Sequence, residues 1–187
     1  LNMAVEECDR MTRIVSDLLT LSRFDNDGTT WKIEPFSTGA FLDHLYDVMR
    51  AEAKNRNHAF LRDYPQDLPV LTGDKEKLQQ VLINILSNAI KYTMPGGSVS
   101  VDLREEESEK EGCIRLVYRV TDTGIGMSPE FMEIMYRPFS RQTDSRVNSI
   151  QGTGLGIAIT KQMVELMNGT IDCQSEPGKG TSFTITL

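Results

Sequence analysis

Cysteine and histidine are scarce in this 187-residue chain, which has three of the first (Cys8, Cys113, Cys173) and two of the second (His44, His58). The cysteines are odd in number and widely spaced, and no Cys-x-x-Cys pair occurs. That argues against a disulfide framework or a zinc site, and for reduced thiols in a cytoplasmic setting. No apolar run reaches the ~18 residues of a membrane-spanning helix, and no signal-peptide pattern opens the chain. A membrane anchor is left to segments upstream in a longer parent protein. Basic residues are not in surplus either. The formal charge of −7 argues against a nucleic-acid or anionic-membrane partner. Neither Gly-x-x-x-x-Gly-Lys-Ser/Thr nor a Gly-x-Gly-x-x-Gly run behind a first strand is present, which disfavours a P-loop and a dinucleotide fold. There is no internal repeat.

What is present is an ordered mixture of helix and strand patterns. Ala4, Cys8, Met11, Val15, Leu18 and Ser22 alternate at spacings of four and three, which predicts a long helix from Leu1 to Phe24 with a bundle or coiled-coil face. Asp25-Asn-Asp-Gly28 ends it. Trp31 to Phe36 reads as a strand. Ser37 caps a helix from Thr38 to Asn55, and Asp74 caps one to Lys91 with Leu78, Val81, Leu82, Ile85, Leu86 and Ile90 buried. Ala59–Tyr64, Val70–Thr72, Ser98–Arg104, Cys113–Asp122, Thr170–Ser175 and Thr181–Leu187 read as strands, with Glu105–Glu111 as an acidic loop. Pro129 opens a short helix. Arg137 to Thr153 reads as an irregular lid, and Gly154 opens a helix to Met167 with Gly169 behind it. The expected fold class is α+β: a two-layer α/β sandwich, one mixed sheet with helices on one face, preceded by one long helix. The domain boundary falls between Asp25 and Thr30.

Three segments carry chemistry. In Asn84-Ile-Leu-Ser-Asn88-Ala-Ile-Lys91-Tyr92, the residues Asn84, Asn88 and Lys91 share one helix face opposite the apolar stripe. An amide oxygen suits Mg²⁺, an ammonium suits phosphate, and Tyr92 offers an aromatic surface to a purine. Asparagine is a poor helix former, so two of them in mid-helix need a reason. In Asp122-Thr-Gly124-Ile-Gly126 a carboxylate at a strand end can accept from the exocyclic amine of adenine. Taken alone, the segment reads more readily as an ordinary Asp-Thr-Gly turn. In Gly152-Thr153-Gly154-Leu155-Gly156, backbone N–H groups at a helix start suit phosphate, although a glycine linker would look similar. An acidic protein needs local cations around such phosphates. Lys91, Arg137, Arg141, Arg146 and Lys161 lie near these segments.

In this order the three segments resemble the N, G1 and G2 boxes of sensor histidine kinases, within the superfamily that also holds gyrase, Hsp90 and MutL. Arg137-Pro-Phe139-Ser-Arg141 resembles the F box, with Tyr136 where Phe is usual. Gly180-Thr-Ser-Phe183-Thr-Ile-Thr-Leu187 matches the family ending, and Gln151–Met167 is similar to hybrid kinases. The resemblance covers essentially the whole chain and implies two parts. Residues 1–28 would be the second helix of the dimerisation and phospho-acceptor hairpin, and 29–187 the ATP-binding catalytic domain. It implies Asn88 as the Mg²⁺ ligand and Asn84 close to metal and phosphates as a catalytic group. Lys91 would contact phosphate, catalysing transfer as well as binding. Tyr92 would pack on adenine, and Asp122 would read the adenine amine with Gly124, Gly126 and Thr181. The lid from Ser140 to Thr153 would close over the phosphates, with Gly152, Thr153, Gly154, Leu155 and Gly156 at the phosphates and either Arg141 or Arg146 as clamp.

The implied activity is transfer of the ATP γ-phosphoryl group to a histidine, for relay to a response regulator receiver domain. Neither His44-Leu-Tyr-Asp nor His58-Ala-Phe-Leu matches the acceptor pattern, so the chain reads as beginning after the acceptor helix. Autophosphorylation is then not expected, and helix 1–24 would pair in a homodimer. Two other readings share the fold. One is a non-catalytic nucleotide-dependent interaction module; the other is an anti-sigma-type serine kinase, which the heptad-like helix disfavours. Gyrase-like hydrolysis is disfavoured by Asn84 where those ATPases carry Glu.

Overall fold

The computed structural model describes residues 2–25, 30–108, 110, 112–142 and 152–187. In chain order the elements are α1 (Asn2–Asp25), β1 (Glu34–Ser37), α2 (Thr38–Asn55), β2 (Ala59–Asp63), β3 (Val70–Gly73) and α3 (Lys75–Tyr92). Then follow β4 (Ser98–Glu107), β5 (Ile114–Asp122), α4 (Pro129–Ile134), α5 (Gly156–Leu166), β6 (Thr170–Glu176) and β7 (Gly180–Thr186). The expected boundary between Asp25 and Thr30 falls on residues 26–29, outside the described residues.

Side-chain capping sets the helix starts. Ser37 accepts from the Ala40 N–H, Ser128 from the Phe131 N–H and Asp74 from the Lys77 N–H, each satisfying a donor that the first turn leaves orphaned. Asp74 is buried, and its second oxygen accepts from the Lys32 backbone N–H at 2.9 Å, tying the segment before β1 to the start of α3. At the other end of α3, the Thr93 hydroxyl donates to the Ala89 carbonyl at 2.7 Å.

The main sheet has the order β2-β4-β5-β7-β6, parallel between β2 and β4 and antiparallel elsewhere. Alternate residues of each central strand turn to one face: Val99, Val101 and Leu103 of β4, Leu116, Tyr118 and Val120 of β5, and Phe183 and Ile185 of β7 are buried. They meet the expected apolar stripe of α3, in which Val81, Leu82, Ile85 and Ile90 have no exposed surface. α3 lies between α2 and α5 in the helical layer. Period-two burial on the strands and period-3.6 burial on the helix make the sandwich.

Four details differ from the sequence reading. A second, two-stranded sheet pairs β1 with β3, because Trp31–Phe36 shifts its strand to Glu34–Ser37, where Pro35 can sit on an edge. Glu105–Glu107 belong to β4 rather than to an acidic loop, held by pairing to Ile114–Leu116. α5 starts at Gly156, not Gly154, whose φ of 73° is incompatible with a helix. Behind α5 the left-handed residue is Asn168 (φ 59°) rather than Gly169.

α1 contacts α5, and Leu21 packs on the core. Met11, Val15, Leu18 and Leu19 of its apolar stripe are exposed. No described helix is long and apolar enough to cross a membrane.

Candidate functional site

A cleft of about 1160 Å³ opens between α3, α5 and the ends of β5 and β7. That is somewhat above the ~300–1,000 Å³ usual for ligand sites. All three sequence segments reach it: Asn84, Asn88, Lys91 and Tyr92 from α3, Asp122 and Gly126 from the end of β5, and Gly152, Thr153, Gly154 and Gly156 from the start of α5. Thr181 lines it from β7. The polar row of α3 points into the cleft because the opposite face of the helix is spent on the sheet.

Asp122 is the most constrained group. It is 7% exposed, and its Oδ1 accepts from the Gly124 N–H at 2.8 Å and the Thr181 N–H at 3.2 Å. Among the described residues, none donates to Oδ2. Burial lifts the carboxyl to about 6, against the opposing pull of those two N–H groups. Thr181 is held in turn by Ser175, whose Oγ lies 2.9 Å from Thr181 Oγ1, donates to the Gly180 carbonyl and accepts from the Met127 N–H at 2.8 Å. Ile125, Met127, Phe131, Met135 and Phe183 give this end of the cleft an apolar wall. It suits a flat heteroaromatic ring with one amine.

The loop after Asp122 is fixed by close backbone approach. The Ile125 N–H donates to the Tyr92 carbonyl and the Gly178 N–H to the Ile125 carbonyl. A Cβ on Gly124 would stand 2.5 Å from the Tyr92 oxygen, and one on Gly126 2.0 Å from the Glu176 oxygen.

The other end of the cleft is polar. Asn84 Nδ2 donates to Thr160 Oγ1 at 2.6 Å, and a Cβ on Gly156 would lie 2.6 Å from Asn84 Oδ1. Lys91 Nζ stands 5.1 Å from the centre of the Tyr92 ring and borders Gly152. Burial raises the Tyr92 phenol, and the positive charge of Arg141 opposes it. Of the five cations near the motifs, Lys91 and Arg141 line the cleft. Lys161 instead stands over Tyr136 at 4.7 Å and pairs with Glu165, while Arg137 does not line the cleft. Arg146 and most of the lid lie outside the described residues. Leu155 is fully buried and makes no wall of the cleft; its N–H donates to Thr153 Oγ1. That hydroxyl itself donates to Asp17 of α1 at 3.0 Å, so Thr153 faces the long helix as well as the cleft. No described group of three or more His, Cys, Asp or Glu could cage a metal.

Sequence reasoning missed Ser175 and Thr160. Both left a signal. Ser175 is in phase with the inward Ile171 and Cys173 of β6, and Thr160 stands one turn after Gly156, between the inward Gly156 and Met163 of α5. A hydroxyl on an inward stripe needs a partner. Asp17 left none, since an Asp on a helix is usually solvated.

Comparison with known proteins agrees with this geometry. Residues 73–187 match the family described as histidine kinase-, DNA gyrase B-, and HSP90-like ATPase. The sensor histidine kinase WalK of Bacillus subtilis (strain 168) is 39% identical over 97% of this chain and 29% of its own length. Sensor protein SrrB of Staphylococcus aureus (strain MRSA252) is 34% identical over 100% of this chain and 31% of its own. The chain thus spans about a third of the curated relatives it matches. The crystal structure of full-length ShkA in complex with AMPPNP superposes with a TM-score of 0.80 at 26% identity, over 97% of this chain and 36% of that one. Acinetobacter baumannii histidine kinase AdeS shares the fold, at a TM-score of 0.77 and 21% identity, over 100% of this chain and 82% of that one. The cleft, the sheet order and these relatives converge, and the chain belongs to the histidine kinase-, DNA gyrase B- and HSP90-like ATPases as an ATP-binding domain homologous to those of sensor histidine kinases.

Proposed function

We propose that the cleft binds ATP with Mg²⁺ and presents the γ-phosphoryl group to a histidine carried by a separate helix, for relay to a response regulator. The observation that supports this most is the two-ended cleft. Asp122 stands with one oxygen held and the other left for an amine, while Asn84, Asn88, Lys91 and the loop before α5 gather at the opposite end. Asp122 Oδ2 would accept from the adenine amine, and Tyr92 and the apolar wall would pack on the ring. Gly126 would let the base approach the backbone, and Gly124 would hold Asp122 in place through its N–H. Lys91 and Arg141 would neutralise phosphate oxygens, and the Gly152–Gly156 loop would offer backbone N–H groups to them.

The residues present fit Mg²⁺. Asn88 and Asn84 offer neutral hard oxygens, and with no described carboxylate cage a metal here would share its shell with phosphates and water, as Mg²⁺ prefers. When bound, Mg²⁺ would supply charge neutralisation at the phosphates. The incoming imidazole nitrogen would form a bond to the γ-phosphorus as the bond to the β,γ-bridging oxygen breaks, leaving ADP. No histidine is among the described residues lining the cleft. His58 is buried with its Nε2 3.1 Å from the Ile90 carbonyl. The acceptor is therefore sought outside this domain. Residues 1–28 are read as the second helix of a dimerisation hairpin and 29–187 as the catalytic domain. The exposed stripe Met11, Val15 and Leu18 supports pairing of α1 in a dimer.

The test is transfer in trans. Mixed with Mg-ATP and a hairpin bearing the acceptor-histidine helix of a related kinase, the protein is expected to place acid-labile, base-stable phosphate on the hairpin. Asn88→Ala should cut this by about 100-fold or more. Tight ATP binding with no transfer to any such hairpin would favour the interaction-module reading. Binding should also follow pH. With an Asp122 carboxyl near 6 that must be ionised to accept the amine, ATP affinity should be flat above about 7. It should then fall by up to about tenfold per unit below 6. A titration flat through that range would contradict the role of Asp122.

A further inference from the structure

We propose that Thr160 is a positioning residue for the metal-bound nucleotide, holding the Asn84 side chain with its oxygen, not its nitrogen, turned to the cation. The proposal rests on reading the cleft as a Mg-ATP site.

A side-chain amide has two ends of nearly equal size and opposite character. Only the oxygen can meet a cation; the NH₂ end repels one. A half-turn about the last bond exchanges them, so shape alone does not choose, and a hydrogen bond must. Asn84 lies on the polar row of α3, one turn before Asn88, and both line the cleft. Its nearest partner on the facing helix is Thr160. Asn84 Nδ2 donates to Thr160 Oγ1 at 2.6 Å, and Thr160 is 1% exposed. Water therefore does not compete for that acceptor. The close contact is between Nδ2 and Oγ1, so the hydroxyl oxygen is the acceptor and the NH₂ end of Asn84 the donor.

The rest of the contact follows. With the nitrogen committed to Thr160, Oδ1 lies over the first residue of α5, 2.6 Å from where a Cβ on Gly156 would stand. The glycine leaves the space that the oxygen uses. Position 160 belongs to the inward stripe of α5 with Met163, where an apolar side chain would satisfy packing. A hydroxyl there serves the polar partner it faces.

Thr160→Val keeps the shape and removes the acceptor. The freed NH₂ would then turn toward the phosphates. This predicts a loss specific to the metal complex, since an NH₂ that repels Mg²⁺ can still donate to bare phosphate oxygens. ATP affinity is to be measured calorimetrically, in excess Mg²⁺ and in EDTA, for wild type, T160V, T160S, N84A and the double variant N84A/T160V. T160V should bind Mg-ATP about 5- to 10-fold more weakly and metal-free ATP within about twofold of wild type. T160S, which keeps the hydroxyl, should match wild type. In the N84A background T160V should add less than about twofold, because the group it positions is gone. Thr160→Ala is read by the same criteria if the valine variant does not fold. Equal losses with and without Mg²⁺, unchanged Mg-ATP affinity in T160V, or an undiminished effect in N84A would overturn the proposal while leaving the cleft assignment intact. A wild-type protein that fails to bind Mg-ATP would instead sink the cleft assignment itself.

Discussion

Asp122→Asn is expected to lower ATP affinity by about 100-fold or more while making the ligand-free protein more stable at neutral pH. Both effects come from one atom pair. The amide oxygen of Asn can still accept from the Gly124 and Thr181 N–H groups that now hold Oδ1. The second position becomes an NH₂ facing the adenine amine, donor against donor. Stability moves the other way because the wild-type carboxyl is raised from 3.8 to about 6 by burial. A raised carboxyl contributes stability while it keeps its proton. That contribution is full below the unfolded value and is lost as pH rises through the folded value. Above it, an ionised carboxylate in this 7%-exposed site costs at most about 3 kcal/mol. The variant should thus melt higher than wild type at neutral pH, with the difference closing toward pH 4 or so. Thermal melts across pH, paired with ATP calorimetry, read both. A variant that binds ATP nearly as well as wild type would remove Asp122 from base recognition.

Gly126→Ala should disturb the fold strongly. The residue sits at φ 66°, in the left-handed region, and a Cβ there would meet the Glu176 carbonyl oxygen at 2.0 Å. That oxygen belongs to the backbone where β6 ends. The strain cannot be relieved by turning a side chain, so the turn between β6 and β7 must lift away. The hydrogen bond from the Gly178 N–H to the Ile125 carbonyl goes with it. A cost of about 3 kcal/mol is expected, or roughly 6–12 °C in melting temperature for a chain of this size. ATP binding should be lost as well, since the same displacement moves Thr181 off Asp122. Melting within a degree or so of wild type would mean the two loops are not packed as described.

These residues show where the sequence was legible. Stripes with a strict period were read well. The α3 stripe from Leu78 to Ile90, the caps Ser37 and Asp74, and the short helix opened by Pro129 lie where the pattern put them, because local geometry decides them. The polar row of α3 was legible for the same reason: with one face buried, the other had to line something. What failed was information carried between distant segments. Pairing of Glu34–Ser37 with Val70–Gly73 depends on two short strands finding each other across α2 and β2, and nothing in either run announces it. Lys161 has the right sequence neighbourhood for phosphate, but its side chain leaves α5 toward Tyr136. Thr160 and Ser175 were hidden by ordinary residue type. Each matters only through one partner, Asn84 or Thr181, contributed by another element.

Where the nucleotide sits decides between these readings. An amide-resolved NMR titration with a non-hydrolysable ATP analogue and Mg²⁺ tests this directly. The Gly124 and Thr181 N–H groups donate to Asp122 Oδ1, and their shifts should respond as Oδ2 takes up the adenine amine. They should move together with those of Asn84, Asn88 and Gly152–Gly156, while β2 and the open face of the sheet stay still. Saturable binding that leaves Gly124 and Thr181 unmoved and perturbs another surface would contradict the account.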